Sequence, residues 1–92
     1  MARRKRPFYS NDVPDGTHVV YEAVGREGEF LYIGVTSHFT RRMRQHARKS
    51  PWWNYAQLIE LDGPFLTRAA ADEYEIRSIG KYRPPYNTVG WR

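Results

Sequence analysis

The feature that most constrains this chain is a strand-like run that ends at a glycine and leads into a basic helix. Residues 30–35 are mostly aromatic, β-branched or aliphatic, which is the composition of a β-strand. Gly34 interrupts the run, and such a glycine often marks a place where a ligand or another backbone approaches closely. Ser37 is the expected N-cap of the helix, which carries Arg41, Arg42, Arg44, Arg48 and Lys49. Since residues 30–59 contain no acidic residue, the stretch predicts a surface that faces phosphate.

The positive charge of the chain is concentrated in two places. The chain carries 15 Lys and Arg against 10 Asp and Glu, a net charge of +5. Four of these positive charges precede any expected fold, on Arg3, Arg4, Lys5 and Arg6. One basic helix face and one basic arm indicate a polyanionic partner. A solvated charged helix with a disordered tail would have the same composition.

Length and composition exclude several classes of protein. A chain of 92 residues suffices for one small core but not for two. The absence of cysteine excludes disulfides, thiolate catalysis and a Cys-based zinc site. No apolar run reaches the ~20 residues of a membrane span, and the N-terminus lacks the apolar segment of a signal peptide. We therefore expect a cytoplasmic protein with no membrane partner, although the composition also suits a nuclear protein.

The first strand predicts a hairpin that pairs two tyrosines. Residues 17–24 are rich in strand formers, and Gly25–Gly28 read as a tight turn, so the strands on either side must be antiparallel. With the turn centred in this segment, Tyr21 lies directly opposite Tyr32 on one face of the sheet. Such a pair serves the core in most hairpins. The position of Tyr32 just before Gly34 and the basic helix favours a functional role.

Helical geometry divides the basic segment into two faces, because successive residues advance by about 100°. The apolar stripe, which must pack on the sheet, consists of Phe39, Met43, His46 and Ala47. The opposite, solvated face carries Arg41, Arg44 and Arg48. Arg42 lies at the edge of the stripe, four residues before His46, and is expected to point into the cleft between helix and sheet. A hydrogen-bonded core histidine and a functional histidine both fit His46.

The chain divides into an N-terminal arm and a folded domain. Residues 1–16 predict a basic flexible arm, and residues 17–92 the folded domain. Trp52 and Trp53 either stack on bases or are buried, and we expect burial for at least one. Residues 55–61 predict a third strand, which the turn-forming sequence Asp-Gly-Pro at 62–64 closes.

The second predicted helix carries a carboxylate on its packing face. Thr67 is its expected N-cap, and it runs to about residue 82. The packing stripe consists of Ala71, Glu75, Ile79 and Tyr82. An ionised carboxylate in such a position is costly unless a cation or hydrogen-bond donors meet it. Glu75 therefore predicts either a salt bridge, to Arg42 or Arg77, or a ligand for a hard cation such as Mg²⁺.

Taken in order along the chain, these residues resemble the GIY-YIG endonuclease family. The second motif of the family is present verbatim as Tyr32-Ile33-Gly34, and Val19-Val20-Tyr21 stands where the family has Gly-Ile-Tyr. The family's arginine, histidine, glutamate and asparagine are matched by Arg42, His46, Glu75 and Asn87. Asn87 ends a Lys-Tyr-Arg-Pro-Pro-Tyr-Asn segment that is similar to the family's own. The resemblance covers residues 17–88.

The resemblance implies a fold, an activity and a cofactor. The fold is α+β, a small three-stranded antiparallel sheet flanked by helices. The activity is hydrolysis of DNA phosphodiester bonds with one Mg²⁺ or Mn²⁺, for which Glu75 is the ligand. Duplex or branched DNA is the expected partner, with a protein partner or a second copy of the chain as a source of specificity. The expected DNA-binding residues are Gly34, Arg41, Arg44, Arg48, Lys49, Arg3, Arg4, Lys5 and Arg6.

The resemblance also implies roles for the expected catalytic residues, which are Tyr21, Tyr32, Arg42, His46, Glu75 and Asn87. Arg42 would neutralise charge on the phosphate oxygens. Tyr21 would be the general base for the attacking water and Tyr32 its orienter, roles that the two can exchange. His46 would assist proton transfer or fix a tyrosine hydroxyl, and Asn87 would brace Glu75 or contact the phosphate. Two alternatives are an inactive nucleic-acid-binding module and a subunit that acts only with a partner.

Overall fold

The computed structural model describes residues 7–10 and 12–87, in which strands and helices follow in a β-β-α-β-α order. The strands are β1 (His18–Gly25), β2 (Phe30–Thr36) and β3 (Ala56–Phe65). The helices are α1 (Phe39–Lys49) and α2 (Arg68–Tyr82), and a short 3₁₀ helix (Pro51–Tyr55) precedes β3. Neither α-helix in this part of the chain has the length and apolar character that crossing a membrane requires.

The strands form one antiparallel sheet in the order β2-β1-β3. β1 lies in the centre and is buried from Val19 to Gly25, which explains its near-continuous run of apolar residues. α1 and α2 pack on opposite faces of the sheet, since the buried residues of α1 join the cluster around Tyr21 and those of α2 join the cluster around Val20. The predicted fold class, a three-stranded antiparallel sheet flanked by helices, is confirmed.

The register of the hairpin differs from the predicted one. Tyr21 pairs with Gly34, and Tyr32 pairs with Ala23, so the expected direct opposition of the two tyrosines is wrong. The loop is one residue longer than expected, because the Gly25 N–H donates to the carbonyl of Glu29, and a bulge after Ala23 adds a second residue. A shift of two residues leaves both tyrosines on the same face, with ring centroids 6.2 Å apart.

α1 packs through the predicted stripe but starts one residue late. Phe39, Met43 and His46 are buried, and the three arginines of the opposite face, Arg41, Arg44 and Arg48, are exposed. The N-cap is His38, whose side chain makes no capping bond. Ser37 was the expected cap, but its hydroxyl lies 2.7 Å from Nδ1 of His18 instead. The 3₁₀ helix that follows buries both Trp52 and Trp53, so the expected burial is confirmed twice.

α2 begins as predicted, since the Thr67 hydroxyl accepts a hydrogen bond from the N–H of Ala70 at 3.1 Å. Ala71 and Ile79 are buried against the sheet. Tyr82 is 50% exposed rather than buried, and it packs edge-on against Phe30. The third strand also differs from the prediction: it starts after the 3₁₀ helix and continues through residues 62–64 to Phe65.

Part of the expected N-terminal arm is attached to the domain. The N–H of Phe8 donates to the carbonyl of Gln57 at 3.0 Å, and its carbonyl accepts from the N–H of Ile59 at 2.9 Å. Phe8 thereby forms a single parallel bridge with β3, on the edge that β1 does not cover. Tyr9 then packs edge-on against Phe39 of α1. The basic residues Arg3, Arg4, Lys5 and Arg6 lie outside the described residues, and the division of the chain at residue 16 stays a prediction.

The α2 face of β1 holds a buried carboxyl group that the sequence reasoning missed. Glu22 is only 5% exposed and pairs across the strands with Glu60, next to Asp62 of β3. Burial, followed by a hydrogen bond and charge repulsion from Asp62, raises the pKa of Glu22 to about 9. The carboxyl group is therefore protonated in the folded protein at neutral pH.

Candidate active site

The candidate site lies on the α1 face of the sheet, beside β2, which is an edge strand. Tyr21 comes from β1, Tyr32 from β2 and His46 from α1. Their rings are in contact, with the His46 centroid 5.6 Å from that of Tyr21 and 5.3 Å from that of Tyr32. The sheet and α1 thus bring together three residues that the resemblance had marked from three separate elements.

Two hydrogen bonds hold the imidazole of His46. Its Nε2 lies 2.7 Å from the Tyr21 hydroxyl, and its Nδ1 lies 2.5 Å from the hydroxyl of Ser50. Burial, and then the positive charge of Arg42, lower the pKa of His46 to about 4, so the ring is neutral at pH 7. Either neutral tautomer satisfies both bonds, and the one with an unprotonated Nε2 accepts a hydrogen bond from Tyr21.

Arg42 lies on the other side of the same hydroxyl group. Its Nε is 3.4 Å from the Tyr21 oxygen, and its Nη1 donates to Oε1 of Gln45 at 3.3 Å. Burial, followed by the neighbouring Tyr32, raises the pKa of Tyr21 above its ordinary value, while Arg42 acts in the opposite direction. The phenol is therefore protonated at neutral pH.

Tyr32 is held by a tryptophan that the sequence reasoning had not placed in the site. The rings of Tyr32 and Trp52 are stacked, with centroids 5.2 Å apart and an interplanar angle of 17°. Burial also raises the pKa of Tyr32. Because Trp52 is 2% exposed, its role is to support Tyr32 and His46 from within the core. The sequence shows that Trp52 follows α1 directly, but not that its side chain points toward Tyr32 and His46.

Gly34 has a packing role that explains its place in the strand. A side chain at this position would collide with the hydroxyl end of the Tyr21 ring. The sequence predicted the close approach of a ligand or another backbone, and the approaching group is the side chain of Tyr21. A contact of Gly34 with DNA stays a prediction.

Glu75 is a half-buried carboxylate for which the described residues supply no ion pair. Arg77, one expected partner, pairs with Glu73 at 2.9 Å, and Arg42, the other, contacts Tyr21 and Gln45. The predicted salt bridge of Glu75 is therefore wrong for this part of the chain. Burial, and then the carboxylate of Asp72, raise the pKa of Glu75, which Arg68 and Arg42 oppose.

Glu75 could hold a metal ion as a single carboxylate ligand, but not within a closed cage of protein ligands. Burial penalises the charge on this carboxylate, and none of the described residues forms an ion pair with it. No group of three or more His, Asp or Glu side chains in residues 7–10 and 12–87 could enclose a metal. Mg²⁺ accepts such a site, because it binds through one or two carboxylates and keeps several waters.

Asn87 holds β2 rather than Glu75. Its Oδ1 accepts the N–H of Ile33 at 2.7 Å, and its Nδ2 donates to the carbonyl of Ile33 at 2.8 Å. The N–H of Tyr86 donates to the carbonyl of Leu31 at 3.1 Å. Both polar groups of the amide are thus used on the outer edge of β2, between the site positions 32 and 34. The expected bracing of Glu75 by Asn87 is replaced by a bracing of the strand that carries Tyr32.

Two basic pockets lie on α1 and meet at Arg42. The arginine pocket, of about 200 Å³, is lined by His38, Arg41, Arg42, Gln45 and Arg68, together with the end of β2. The histidine pocket, of about 350 Å³, is lined by Arg42, Gln45, His46, Arg48, Lys49 and Ser50. Among the expected DNA-binding residues, Arg41, Arg48 and Lys49 line these pockets, and Arg44 is exposed on α1.

Arg68 and Gln45 are members of this basic surface that the sequence reasoning missed. Arg68 is the first residue of α2, and the sequence located this position through its N-cap, Thr67. What the sequence could not show is that Arg68, at the start of α2, lines the same pocket as Arg41 and Arg42 of α1. This proximity depends on how the two helices are placed about the sheet.

Comparison with known proteins agrees with the geometry. The family model described as the GIY-YIG catalytic domain matches residues 17–87, a span that includes all six expected catalytic residues. Neither the search of curated proteins nor the search of solved structures gives a significant match. Because the matched span covers most of the 92 residues, the chain belongs to the GIY-YIG family of nucleases.

Proposed function

We propose that this nuclease-family chain is a metal-dependent endonuclease that hydrolyses phosphodiester bonds of DNA. The observation that carries the proposal is the placement of the Tyr21 hydroxyl between a neutral imidazole and a guanidinium, 2.7 Å from His46 and 3.4 Å from Arg42. A proton acceptor and a phosphate-binding cation on either side of one hydroxyl are the groups that phosphodiester hydrolysis needs. The basic pockets beside them support a polyanionic substrate.

Tyr21 and His46 act together as the general base. Because Tyr21 is protonated at neutral pH, it can take a proton from water only if it gives up its own. Neutral His46 accepts that proton at Nε2. The resulting imidazolium donates its Nδ1–H to the hydroxyl of Ser50. What supports Tyr21 rather than Tyr32 as the base is this bond to His46. Tyr32, stacked on Trp52, then orients the water or the phosphate.

Arg42 neutralises the charge that develops on the non-bridging phosphate oxygens. Its guanidinium carries five donors in a fixed fork, of which the contacts with Tyr21 and Gln45 use only part. It lines both pockets on α1, so a phosphate entering either pocket meets it. A preorganised donor of this kind increases the rate about 10²–10³-fold.

Glu75 is the proposed ligand for Mg²⁺ or Mn²⁺. When bound, the cation supplies Lewis-acid polarisation of the scissile phosphate and stabilises the leaving 3′ oxygen. The carboxylate of Glu75 is available for a cation because it forms no ion pair with the described residues. Asn87 contributes indirectly by holding β2 and thereby Tyr32.

The experiment that tests the proposal is incubation of the purified chain with linear, branched and single-stranded DNAs, each with Mg²⁺, with Mn²⁺ or with EDTA. We expect cleavage of at least one DNA that requires the cation and that Glu75→Gln abolishes. DNA binding without cleavage under every condition would support the inactive binding module instead. Cleavage that appears only after a second protein is added would support the partner-dependent subunit.

A further inference from the structure

We infer that the arginine pocket binds a second phosphate of the same DNA strand, adjacent to the scissile one, and that Arg68 is a DNA-binding residue. This inference rests on the proposed function and assigns a ligand to a pocket beside the proposed catalytic groups. The pocket is assembled from two separate helices, since Arg41 and Arg42 belong to α1 and Arg68 begins α2.

The charge of the arginine pocket calls for an anion. Three guanidinium groups line a space of about 200 Å³, and no acidic side chain lines it. Like charges this close to one another repel, and an anion between them relieves the repulsion. Arg68 bonds Asp72 through Nε at 2.9 Å, which leaves its two terminal nitrogens available. The side chain of Arg41 has no ion pair or hydrogen bond to the described residues.

The size of the pocket suits a phosphate group. Pockets for drug-sized organic ligands measure about 300–1,000 Å³ and are mostly apolar. At about 200 Å³ and with a lining of arginines, this one is smaller and more polar. Guanidinium groups bind phosphate oxygens through paired donors, which a compact tetrahedral anion matches.

The position of the pocket identifies which phosphate it would hold. Arg42 and Gln45 line both the arginine pocket and the histidine pocket, and a hydrogen bond of 3.3 Å joins them at the boundary. The histidine pocket includes His46, the partner of Tyr21. A phosphate in the histidine pocket and a phosphate in the arginine pocket would thus be separated by the side chains of Arg42 and Gln45. Two consecutive phosphates of one DNA strand that lies along α1 would occupy the two pockets.

The first test compares two arginines of α2 that differ in position and little else. Arg68 and Arg77 are both exposed, and each forms a surface ion pair with a carboxylate four residues away, at 2.9 Å in both cases. Binding of a fluorescent duplex is measured in EDTA over a series of salt concentrations. We expect Arg68→Ala to lower the affinity about tenfold and the slope of log affinity against log salt by about 0.9. Arg77→Ala is expected to leave both near the wild-type values.

The second test locates the phosphate. In a DNA that the wild-type protein cleaves, single phosphates beside the scissile one are replaced by neutral methylphosphonates, and single-turnover cleavage is measured. One flanking replacement should slow the wild-type protein about tenfold and have no further effect on Arg68→Ala.

The outcomes separate the inference from the proposed function. If the wild-type protein cleaves DNA but Arg68→Ala and Arg77→Ala bind alike, the arginine pocket holds no phosphate and the proposed function stands. If Arg68→Ala is slowed by every flanking replacement as the wild-type protein is, Arg68 acts only through long-range charge. If the wild-type protein neither binds nor cleaves any DNA, both proposals are wrong.

Discussion

The ring of Tyr21 fills the space that a side chain at its cross-strand partner, Gly34, would occupy. The close approach lets a residue of the central strand extend to the edge strand and place its hydroxyl 2.7 Å from His46. Gly34 of the second motif therefore provides the space that Tyr21 of the first motif occupies. The two motifs act as one structural unit rather than as two separate contributions to the site.

The first prediction is that Gly34→Ala displaces the Tyr21 ring and slows cleavage. The added methyl group overpacks a buried site, which costs about 1–3 kcal/mol of folding stability. Urea denaturation and single-turnover cleavage measure the two effects. Gly80→Ala is the control, because a methyl group at Gly80 in α2 meets no atom within 4 Å and should stabilise the protein by about 0.5–1 kcal/mol. Wild-type cleavage by Gly34→Ala would show that Tyr21 needs no such space.

A second prediction separates two neighbouring arginines of α1. Arg42→Ala should lower kcat about 10²–10³-fold, because the guanidinium beside the Tyr21 hydroxyl is lost. Arg41→Ala should weaken binding and leave turnover at saturating DNA unchanged, because Arg41 lines only the arginine pocket of the two pockets on α1. Steady-state kinetics and binding in EDTA measure the two effects separately. Equal losses of kcat would show that the assignment of Arg42 to chemistry is wrong.

Glu75→Gln should abolish metal-dependent cleavage without lowering stability. The pKa of Glu75 is raised above the ordinary 4.5 by burial, and then by Asp72, so the ionised form costs stability in the fold. The contribution of this group to folding stability is therefore full at low pH and is lost as pH rises through the raised pKa. A glutamine at this position carries no charge and avoids that loss. Cleavage by the wild-type protein should fall as pH is lowered through the same range. Thermal melts at pH 7 and a pH–rate profile provide the measurements, and a lower Tm with cleavage retained would show that the Glu75 carboxylate serves stability and not catalysis.

These positions differ in how much of their structural role could be predicted from the sequence. Arg42, His46 and Glu75 were assigned to the right elements because helical spacing is local and regular. The register of Tyr21 could not be predicted, since one extra loop residue and one bulge decide it. The bracing by Asn87 and the nearness of Arg68 to α1 depend on contacts between residues far apart in the chain, as the 54-residue separation of Ile33 and Asn87 illustrates.

Glu22 gives a prediction about stability alone. Its pKa in the fold is about 9 against an ordinary 4.5, so its contribution to stability is full below about pH 4.5 and is lost as pH rises toward 9. At pH 7 that loss is on the order of 2–4 kcal/mol. Glu22→Gln should therefore be more stable than the wild-type protein at pH 7, by an amount that grows toward pH 9. Urea midpoints at pH 5, 7 and 9 measure this, with Glu27→Gln in the exposed turn as the control.

The last prediction concerns the basic arm. Deleting residues 2–6 removes four positive charges, so the slope of log affinity for duplex DNA against log salt should fall by at most ~3–4. Single-turnover cleavage at saturating DNA should be unchanged, because no expected catalytic residue lies in the arm. An unchanged slope would indicate a targeting or partner-binding tail. Loss of single-turnover cleavage would mean that the arm takes part in the active site.

The bridge between Phe8 and β3 sets a limit on where those four charges can act. Arg3, the most distant of the four, lies five residues before Phe8, and a chain of that length spans at most about 18 Å when fully extended. β2 lies three strand spacings, about 14 Å, from Phe8, so the covalent reach of the arm includes β2. That reach corresponds to about five base pairs of duplex, at ~3.4 Å per step. If the arm contacts DNA as predicted, its four cations would meet only the phosphates of this short segment next to the domain.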